Sequence, residues 1–260
     1  MQKESIKFAD SLVFEGMTSI RALLAGCDSG VNDRKITEIL FDKERFPKIK
    51  KEIGYLRAIS ESRGFKLIES DKETIDSITL GSSHGGIVAI ATDRTLLPAT
   101  SLTTIGEGSF LALIEGIEDP YNFGYAIRSL YAAGCDGIIL GERNWMSAAG
   151  VVCRSSAGAS ELIPMYSGDA VSALTILKSQ GYKVVCASEK GDYDLFACDM
   201  KKPLCLVVGG ERRGMSKKVL DLADCLVRIP YGREFNASLS ATSAATVFGY
   251  EILRQNSGEF

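Results

Sequence analysis

The chain has 260 residues, of which 45% are hydrophobic and 24% charged, and its formal net charge is −3 at pH 7. This length fits one large domain or two ordinary ones, and the apolar content is sufficient for a buried core. The sequence has no long uncharged apolar run, which excludes a membrane-spanning helix, and the charged stretch from Met1 to Asp10 lacks the apolar run of a signal peptide.

Cysteine and histidine usage narrows the possible chemistry. The seven cysteines are scattered without a CxxC pair, mostly within apolar stretches, and we expect reduced, buried thiols in a cytoplasmic protein. The single histidine, His84, leaves no paired imidazoles for a zinc site or a two-histidine metal site. A Ser-His-Asp triad would have to use His84, and no GxSxG elbow accompanies it. We therefore expect no metal centre.

The first part of the chain, residues 1–93, is predicted to be a compact α/β module. The predicted elements, in order, are a helical segment Ile20–Leu24, a strand Ile36–Phe41, a charged helix Pro47–Ser62, a strand Phe65–Ile68, a helix starting at Asp71 and a strand Gly86–Ala91. Pro98 and several threonines then interrupt the periodicity, which predicts a linker over residues 94–104.

Basic residues are concentrated within this first part. Between residues 34 and 66, five acids are outnumbered by ten basic residues: Arg34, Lys35, Lys43, Arg45, Lys48, Lys50, Lys51, Arg57, Arg63 and Lys66. On the counts alone a solvated helix of mixed charge is favoured, and a patch that holds phosphates is the alternative. The slightly negative net charge argues weakly against an RNA-binding protein.

The second part, residues 105–260, is predicted to alternate strands with helices. The predicted strands are Phe110–Gly116, Gly137–Leu140, Leu162–Met165, Lys183–Ala187, Leu204–Val208 and Leu226–Ile229. The predicted helices are Asn122–Ala133, Ala148–Ser156, Asp169–Gln180, Ser216–Ala223 and Ser238–Arg254. Repeated strand–helix units of this spacing predict a parallel sheet with helices on both faces.

The usual nucleotide fingerprints are missing from this second part. The first strand is followed by Asp119-Pro-Tyr-Asn-Phe-Gly124 and not by GxGxxG, and the turn Gly209-Gly-Glu-Arg-Arg-Gly214 lacks the Gly-Lys-Ser/Thr of a phosphate loop. A nucleotide-dependent oxidoreductase and a P-loop NTPase are therefore poorly supported.

Three other segments, taken together, indicate a family more specifically than these single fingerprints do. They are Glu118-Asp-Pro-Tyr-Asn-Phe-Gly-Tyr-Ala-Ile-Arg128, Leu206-Val-Val-Gly-Gly-Glu-Arg-Arg-Gly-Met-Ser216, and Ile229-Pro-Tyr-Gly-Arg-Glu-Phe-Asn-Ala-Ser-Leu-Ser-Ala-Thr-Ser-Ala-Ala245. In order and spacing they resemble the three signature motifs of the SpoU/TrmH family of RNA 2′-O-ribose methyltransferases. The resemblance covers residues 108–255.

The first part also resembles a module of this family. Phe14-Glu-Gly16 and Ser83-His-Gly-Gly-Ile-Val-Ala89 are similar to the small L30e-like substrate-binding domain of the ribosomal-RNA branch. This resemblance implies an RNA-binding domain over residues 1–93 and a methyltransferase domain over residues 105–260. It favours 23S rRNA as the substrate, with tRNA as the alternative.

The resemblance implies a SPOUT-type parallel sheet whose C-terminal segment forms a trefoil knot. It implies a homodimer with its sites at the subunit interface, and the last helix offers Val247, Phe248 and Ile252 for burial. It also implies S-adenosylmethionine, bound in the knotted loops and held largely by backbone groups. The residues expected to bind this cofactor are Ala187, Ser188, Gly209, Gly210, Ile229, Leu239 and Ser240.

The catalytic residues follow from the same resemblance. Arg128 matches the essential arginine of the family, and we favour a role in clamping phosphate and stabilising an alkoxide, because a free arginine is almost always protonated. Asn122 is expected to order the loop or the dimer contact, with an ordinary helix N-cap as the alternative. Glu211 is expected to accept hydrogen bonds from loop amides or from the third motif. Ser238 is expected to touch the substrate, again with an N-cap as the alternative.

The third motif departs from the family pattern at two positions. The family asparagine is Ser240 here and its following serine is Thr242, while Asn236 upstream is a candidate substitute. A knotted RNA-binding protein without catalysis is therefore the main alternative function. Because Arg128 is retained, we favour an active enzyme.

Overall fold

The computed structural model describes residues 12–80, 84–104, 108–117, 119–141 and 145–258. Several residues used in the sequence interpretation lie outside them: Met1 to Asp10, Ser83 and Glu118. The described residues form two compact units, one within Met1–Thr95 and Trp145–Leu162, the other within Leu96–Asn144 and Ile163–Phe260. No helix in the described ranges combines the length and apolarity that crossing a membrane requires.

The described elements are numbered here in chain order. The strands are β1 (Val13–Glu15), β2 (Ile36–Asp42), β3 (Lys66–Ser70), β4 (Ile87–Ala91), β5 (Leu97–Pro98), β6 (Phe110–Glu115), β7 (Gly137–Leu140), β8 (Met165–Ser167), β9 (Lys183–Ala187), β10 (Tyr193–Asp194), β11 (Leu204–Gly209) and β12 (Cys225–Arg228). The α-helices are α1 (Gly16–Asp28), α2 (Phe46–Arg63), α3 (Lys72–Ile78), α4 (Pro120–Ala132), α5 (Ala149–Ser155), α6 (Ala159–Leu162), α7 (Ala170–Ser179), α8 (Lys217–Leu220) and α9 (Ala241–Asn256).

The first unit is built on a four-stranded mixed sheet in the order β1-β4-β2-β3. Strands β2 and β3 are parallel, whereas β4 runs antiparallel to both β1 and β2. Helix α1 buries Ile20, Leu23 and Leu24, whose spacing places them on one helix face, in a core shared with Phe14 and Ile39. The predicted α/β module is therefore present.

Helices α5 and α6 pack in this first unit. The sequence interpretation placed the helix Ala148–Ser156 in the second part of the chain and did not predict α6. The reason for this packing is burial: Ala149 and Cys153 of α5 belong to the core of the first unit. Glu161 of α6 is fully buried and forms an ion pair with Arg34 (Nε to Oε2, 3.0 Å). Sequence order alone could not indicate this return of the chain.

The second unit contains an eight-stranded sheet in the order β10-β12-β9-β11-β6-β7-β8-β5, with every pair parallel. The central strands are buried on both faces, which explains their continuous apolar sequences. The carboxyl ends of β9, β11 and β12 lie side by side at one edge, so the loops that follow these strands are neighbours. The predicted parallel sheet with helices is confirmed.

Several predicted boundaries in the second part of the chain were wrong. The strand predicted at Leu162–Met165 starts only at Met165, because Leu162 ends α6 and Ile163 and Pro164 form the connection. The helix predicted at Ser216–Ala223 spans only Lys217–Leu220. The last strand ends at Arg228, one residue before Ile229. The last helix starts at Ala241 and not at Ser238.

Candidate active site

A cavity of about 730 Å³ lies at the carboxyl ends of β9, β11 and β12. Six of the seven residues predicted to bind the cofactor line it: Ala187, Ser188, Gly209, Gly210, Ile229 and Leu239. The seventh, Ser240, is not among the lining residues. Of the four residues predicted to be catalytic, Glu211 and Ser238 line the cavity, whereas Arg128 and Asn122 do not.

The glycines of the second motif bring main chain into close contact around this cavity. The amide of Gly210 donates to the carbonyl of Glu115 (2.8 Å). A Cβ atom on Gly210 would lie 1.8 Å from the carbonyl oxygen of Gly116, and one on Gly209 would lie 2.7 Å from the carbonyl carbon of Gly214. The backbone can follow this path only without side chains at positions 209 and 210.

The loop after β9 is held against the end of β12. The Ser188 amide donates to the carbonyl of Val227 (2.9 Å). A Cβ atom on Gly191 would lie 2.6 Å from the Arg228 amide nitrogen. One wall of the cavity is thus main chain from two neighbouring strand ends.

Glu211 joins the second motif to the third. Its carboxylate oxygen Oε1 accepts a hydrogen bond from the amide of Ala241, the first residue of α9, over 3.2 Å. A carboxylate at this helix start also faces the positive end of the helix dipole. The contact fixes the turn after β11 relative to the helix that closes the cavity with Ala241, Ala244 and Phe248.

Ser240, and not Ser238, is the N-cap of α9. The Ser240 hydroxyl oxygen accepts from the Ser243 amide at 3.1 Å, and the two hydroxyls lie 2.9 Å apart. The alternative that Ser238 caps the helix was therefore wrong, because the helix begins two residues later. Serine at 240 in place of the family asparagine serves here as a cap, a position at which both residues are favoured.

Helix α4 carries the other two predicted catalytic residues. Asp119 is its N-cap and accepts from the Asn122 amide (2.8 Å), with Pro120 at the first helical position. The alternative that Asn122 is the N-cap was therefore wrong. Arg128 is exposed, and its guanidinium has no hydrogen-bond or ion-pair partner among the residues that the structure describes.

Two hydroxyl contacts join α4 to the cavity-lining helix α9. Thr242 donates to the carbonyl oxygen of Asn122 (3.0 Å), and the hydroxyl oxygens of Thr246 and Ser129 share a hydrogen bond at 2.7 Å. Ser129 is the neighbour of Arg128. The sequence interpretation noted Thr242 only as a departure and missed Thr246, although two hydroxyls four residues apart on one helix were a usable signal.

An aromatic pair lies at the cavity and was also missed. Tyr231 and Phe235 both line it, and their rings meet edge to face with centroids 5.9 Å apart. The Tyr231 hydroxyl accepts from the amide of Leu239 (3.1 Å), which fixes the tyrosine. Phe235 is 58% exposed.

The family model described as the SpoU rRNA Methylase family matches residues 109–250, which is more than half of the chain. The chain belongs to this family. The predicted membership is confirmed, and the matched range contains all three motifs and every cavity-lining residue. The described residues of this SpoU-family chain contain no cluster of three or more metal-ligating side chains (histidine, cysteine, aspartate or glutamate) that could hold a metal ion.

Relatives and solved structures extend this similarity over most of the chain. The 23S rRNA (guanosine-2′-O-)-methyltransferase RlmB of Ralstonia nicotianae is 29% identical over 229 residues, covering 86% of this chain and 90% of the relative. RlmB of Shewanella oneidensis is 27% identical and covers 74% of this chain and 79% of the relative. An AdoMet-bound rRNA methyltransferase from Sinorhizobium meliloti superposes with a TM-score of 0.77 at 25% identity, covering 94% of this chain and 87% of that structure. The methyltransferase AviRb from Streptomyces viridochromogenes, with AdoMet, has the same TM-score at 22% identity over 96% of each chain, which shows the shared fold.

Proposed function

We propose that this SpoU-family chain transfers a methyl group from S-adenosylmethionine to a ribose 2′-hydroxyl of 23S rRNA. The observation that carries the proposal is the cavity, which is built from the loops of the second and third motifs in a chain that the family model matches. The names of relatives that span most of the chain support the reaction and the ribosomal substrate.

The cavity fits S-adenosylmethionine in size and in chemistry. A volume of about 730 Å³ lies within the range of small-molecule sites. The main chain at Gly209, Gly210, Ala187 and Ile229 would hold the cofactor, since no Cβ intervenes at the glycines. When bound, the cofactor supplies an electrophilic methyl group on a sulfonium.

The chain's own residues must deal with the nucleophile. A ribose 2′-hydroxyl is a weak nucleophile near pH 7, so the reaction requires accurate placement and help with its proton. Arg128 is exposed and unpaired within the described part of the chain, so its five donors are free to grip an RNA phosphate and the developing alkoxide. The Glu211 carboxylate holds the start of α9. Ser238 lines the cavity, and in this proposal its hydroxyl contacts the nucleotide.

A C-terminal trefoil knot is part of the proposal. Strand β12 lies near one edge of the sheet, beyond β9, whereas the following helix α9 contacts α4 and β11. These contacts support a return of the chain past the loops after β9 and β11, a path that suits the proposed knot. The knot would bring the cofactor loops together and hold them rigid.

The L30e-like assignment of residues 1–93 is likewise a proposal. The mixed sheet of the first unit and the exposed basic residues of α2, including Lys48, Lys50 and Lys51, suit a domain that binds RNA phosphates. Such a domain would hold the rRNA while the methyltransferase domain modifies it, in the cytoplasm.

The homodimer is proposed through α4 and α9. Phe248 and Ile252, which we had expected to be buried by a partner, are instead buried within the protomer. Four tyrosines of these two helices remain exposed: Tyr121, Tyr125, Tyr131 and Tyr250. A second copy would cover this surface and bring Arg128 to the interface.

The double variant Tyr125→Glu/Tyr250→Glu should be monomeric in light scattering. Tyr55→Glu, a substitution at an equally exposed tyrosine of the first unit, should leave the dimer intact.

One experiment tests the function directly. Ribose methylation is mapped across total RNA from cells with and without the protein, while calorimetry measures S-adenosylmethionine binding. We expect the loss of one 2′-O-methyl group in 23S rRNA and cofactor binding at micromolar concentration. Loss of a methyl group in tRNA would show that tRNA is the substrate. An absence of cofactor binding would favour the non-catalytic RNA-binding protein.

A further inference from the structure

We propose that Phe235, fixed by Tyr231, is a stacking platform for a nucleobase of the substrate strand at the rim of the cavity. The inference rests on the proposed function and adds to it a contact with an unpaired RNA base. Its starting point is exposure: Phe235 presents 58% of its surface to solvent while also lining the cavity.

The ring of Phe235 packs against Tyr231, an aromatic side chain that is itself anchored. Tyr231 meets it edge to face, with the ring centroids 5.9 Å apart and the planes at 61°. Tyr231 is itself anchored, because its hydroxyl accepts from the Leu239 amide. Aromatic pairs in this geometry are attractive, so one flat face can be presented with little loss of side-chain freedom.

The position of the ring selects RNA as its occupant. Ser238 and Leu239, which line the cavity, follow Phe235 within the same loop. A ribose can reach this cavity only if its strand is unpaired locally, and the base beside it is then free to stack. Arg212 and Arg213 are exposed on the turn between the cavity-lining residues Glu211 and Gly214 and add positive charge beside the cavity. Aromatic faces combined with positive charge are the usual means of holding single strands.

The test uses the full chain, S-adenosylmethionine and 23S rRNA transcribed in vitro. Phe235→Ala should raise the KM for RNA on the order of tenfold, which is the size expected when one base stack is removed. Cofactor affinity by calorimetry and the oligomeric state should not change. Phe235→Trp should restore the wild-type KM, whereas Phe235→Leu should not, because leucine is apolar but has no ring face.

Phe196→Ala is the matched control, since Phe196 is 61% exposed in the same unit but does not line the cavity. It should leave the KM unchanged. Three results would overturn the platform: wild-type behaviour of Phe235→Leu, a selective loss of cofactor affinity in Phe235→Ala, or dissociation of Phe235→Ala into monomers. If the wild-type protein binds the cofactor but methylates no RNA, the proposed function fails instead, which separates the two conclusions.

Discussion

Gly210 packs against Gly116 main chain to main chain, so closely that a Cβ atom at position 210 would lie 1.8 Å from the Gly116 carbonyl oxygen. The contact joins the turn after β11 to the end of β6, and the Gly210 amide adds a hydrogen bond to Glu115. The shape of the cavity at this point therefore depends on the absence of a side chain.

We expect Gly210→Ala to abolish measurable S-adenosylmethionine binding in calorimetry, because backbone atoms on both sides must move apart. Gly232→Ala is the control: Gly232 is in the cavity-forming third motif, and a Cβ atom there would meet nothing within 4 Å. The control should bind the cofactor within a few-fold of wild type, and circular dichroism should show that both variants are folded. Normal binding by Gly210→Ala would contradict the assignment of this cavity to the cofactor.

Arg128→Ala should reduce methyl transfer by about two to three orders of magnitude, the size expected when one charge-assisted interaction is removed from the transition state. Cofactor affinity should stay within a few-fold of wild type, because Arg128 does not line the cavity. Arg128→Lys should rescue poorly, since a point charge cannot reproduce the two-pronged grip of a guanidinium. Single-turnover assays with saturating cofactor measure the rate of methyl transfer in both variants. A wild-type rate in either variant would contradict the assigned role.

The parallel sheet and the cofactor loops could be predicted from the sequence because their signals are local. A continuous apolar run, as in β6 and β11, indicates a strand that is buried on both faces. The paired glycines at 209 and 210 indicate a close approach of main chain. Six of the seven predicted cofactor residues consequently line one cavity. Their roles in binding remain predictions.

Long-range packing could not be predicted in the same way. The return of α5 and α6 to the first unit depends on the contact between Arg34 and Glu161, which are 127 residues apart. The cap of α9 was misplaced because Ser238, Ser240 and Thr242 are all suitable caps, and only the packed helix selects Ser240. The aromatic pair Tyr231 and Phe235 depends on the fold of an irregular loop, for which the sequence has no periodic signal.

Basic residues on α2 should govern the salt dependence of RNA binding. Replacing Lys48, Lys50 and Lys51 with glutamine should weaken binding to 23S rRNA and lower the slope of log K against log salt by about one for each phosphate that is no longer neutralised. Glu61→Gln changes charge on the same helix without removing a cation and should not weaken binding. Filter-binding titrations at several salt concentrations provide the slopes. Unchanged slopes in the triple variant would place the RNA elsewhere.

Buried thiols should make the protein less stable at alkaline pH. Desolvation raises the pKa of the Cys135 and Cys186 thiols to about 12, above their ordinary value of 9.0. Folding therefore favours the neutral thiols, and their contribution is complete below about pH 9 and is lost as the pH rises towards 12. The free energy of unfolding in urea should fall over this window. In the Cys186→Ala variant the free energy of unfolding should fall less steeply with pH than in the wild type. The same dependence on pH in both proteins would contradict this cause.

The last prediction concerns the ion pair between Arg34 and Glu161, whose side chains are 1% and 0% exposed. Arg34 also donates to the carbonyl of Thr92 (2.8 Å), and Asn32 donates to the main-chain carbonyl of Glu161 (2.7 Å). The charges are thus satisfied only while the two sequence segments of the first unit, residues 12–95 and 145–162, remain packed together. Deleting residues 1–93 would remove both Arg34 and the core residues against which α5 packs, so point variants are the better test of this unit.

Arg34→Met should lower the free energy of unfolding by about 3–5 kcal/mol, because it leaves one buried charge uncompensated. Glu161→Gln, which keeps the shape of the carboxylate, should also lower the free energy of unfolding, but by less. The double variant should lose clearly less than the sum of the two, since both charges of the pair are then removed together. Urea unfolding of all four proteins at pH 7 completes the cycle. Additive losses would mean that each residue acts through its other hydrogen bonds, and the pair would then not be what holds α6 in the first unit.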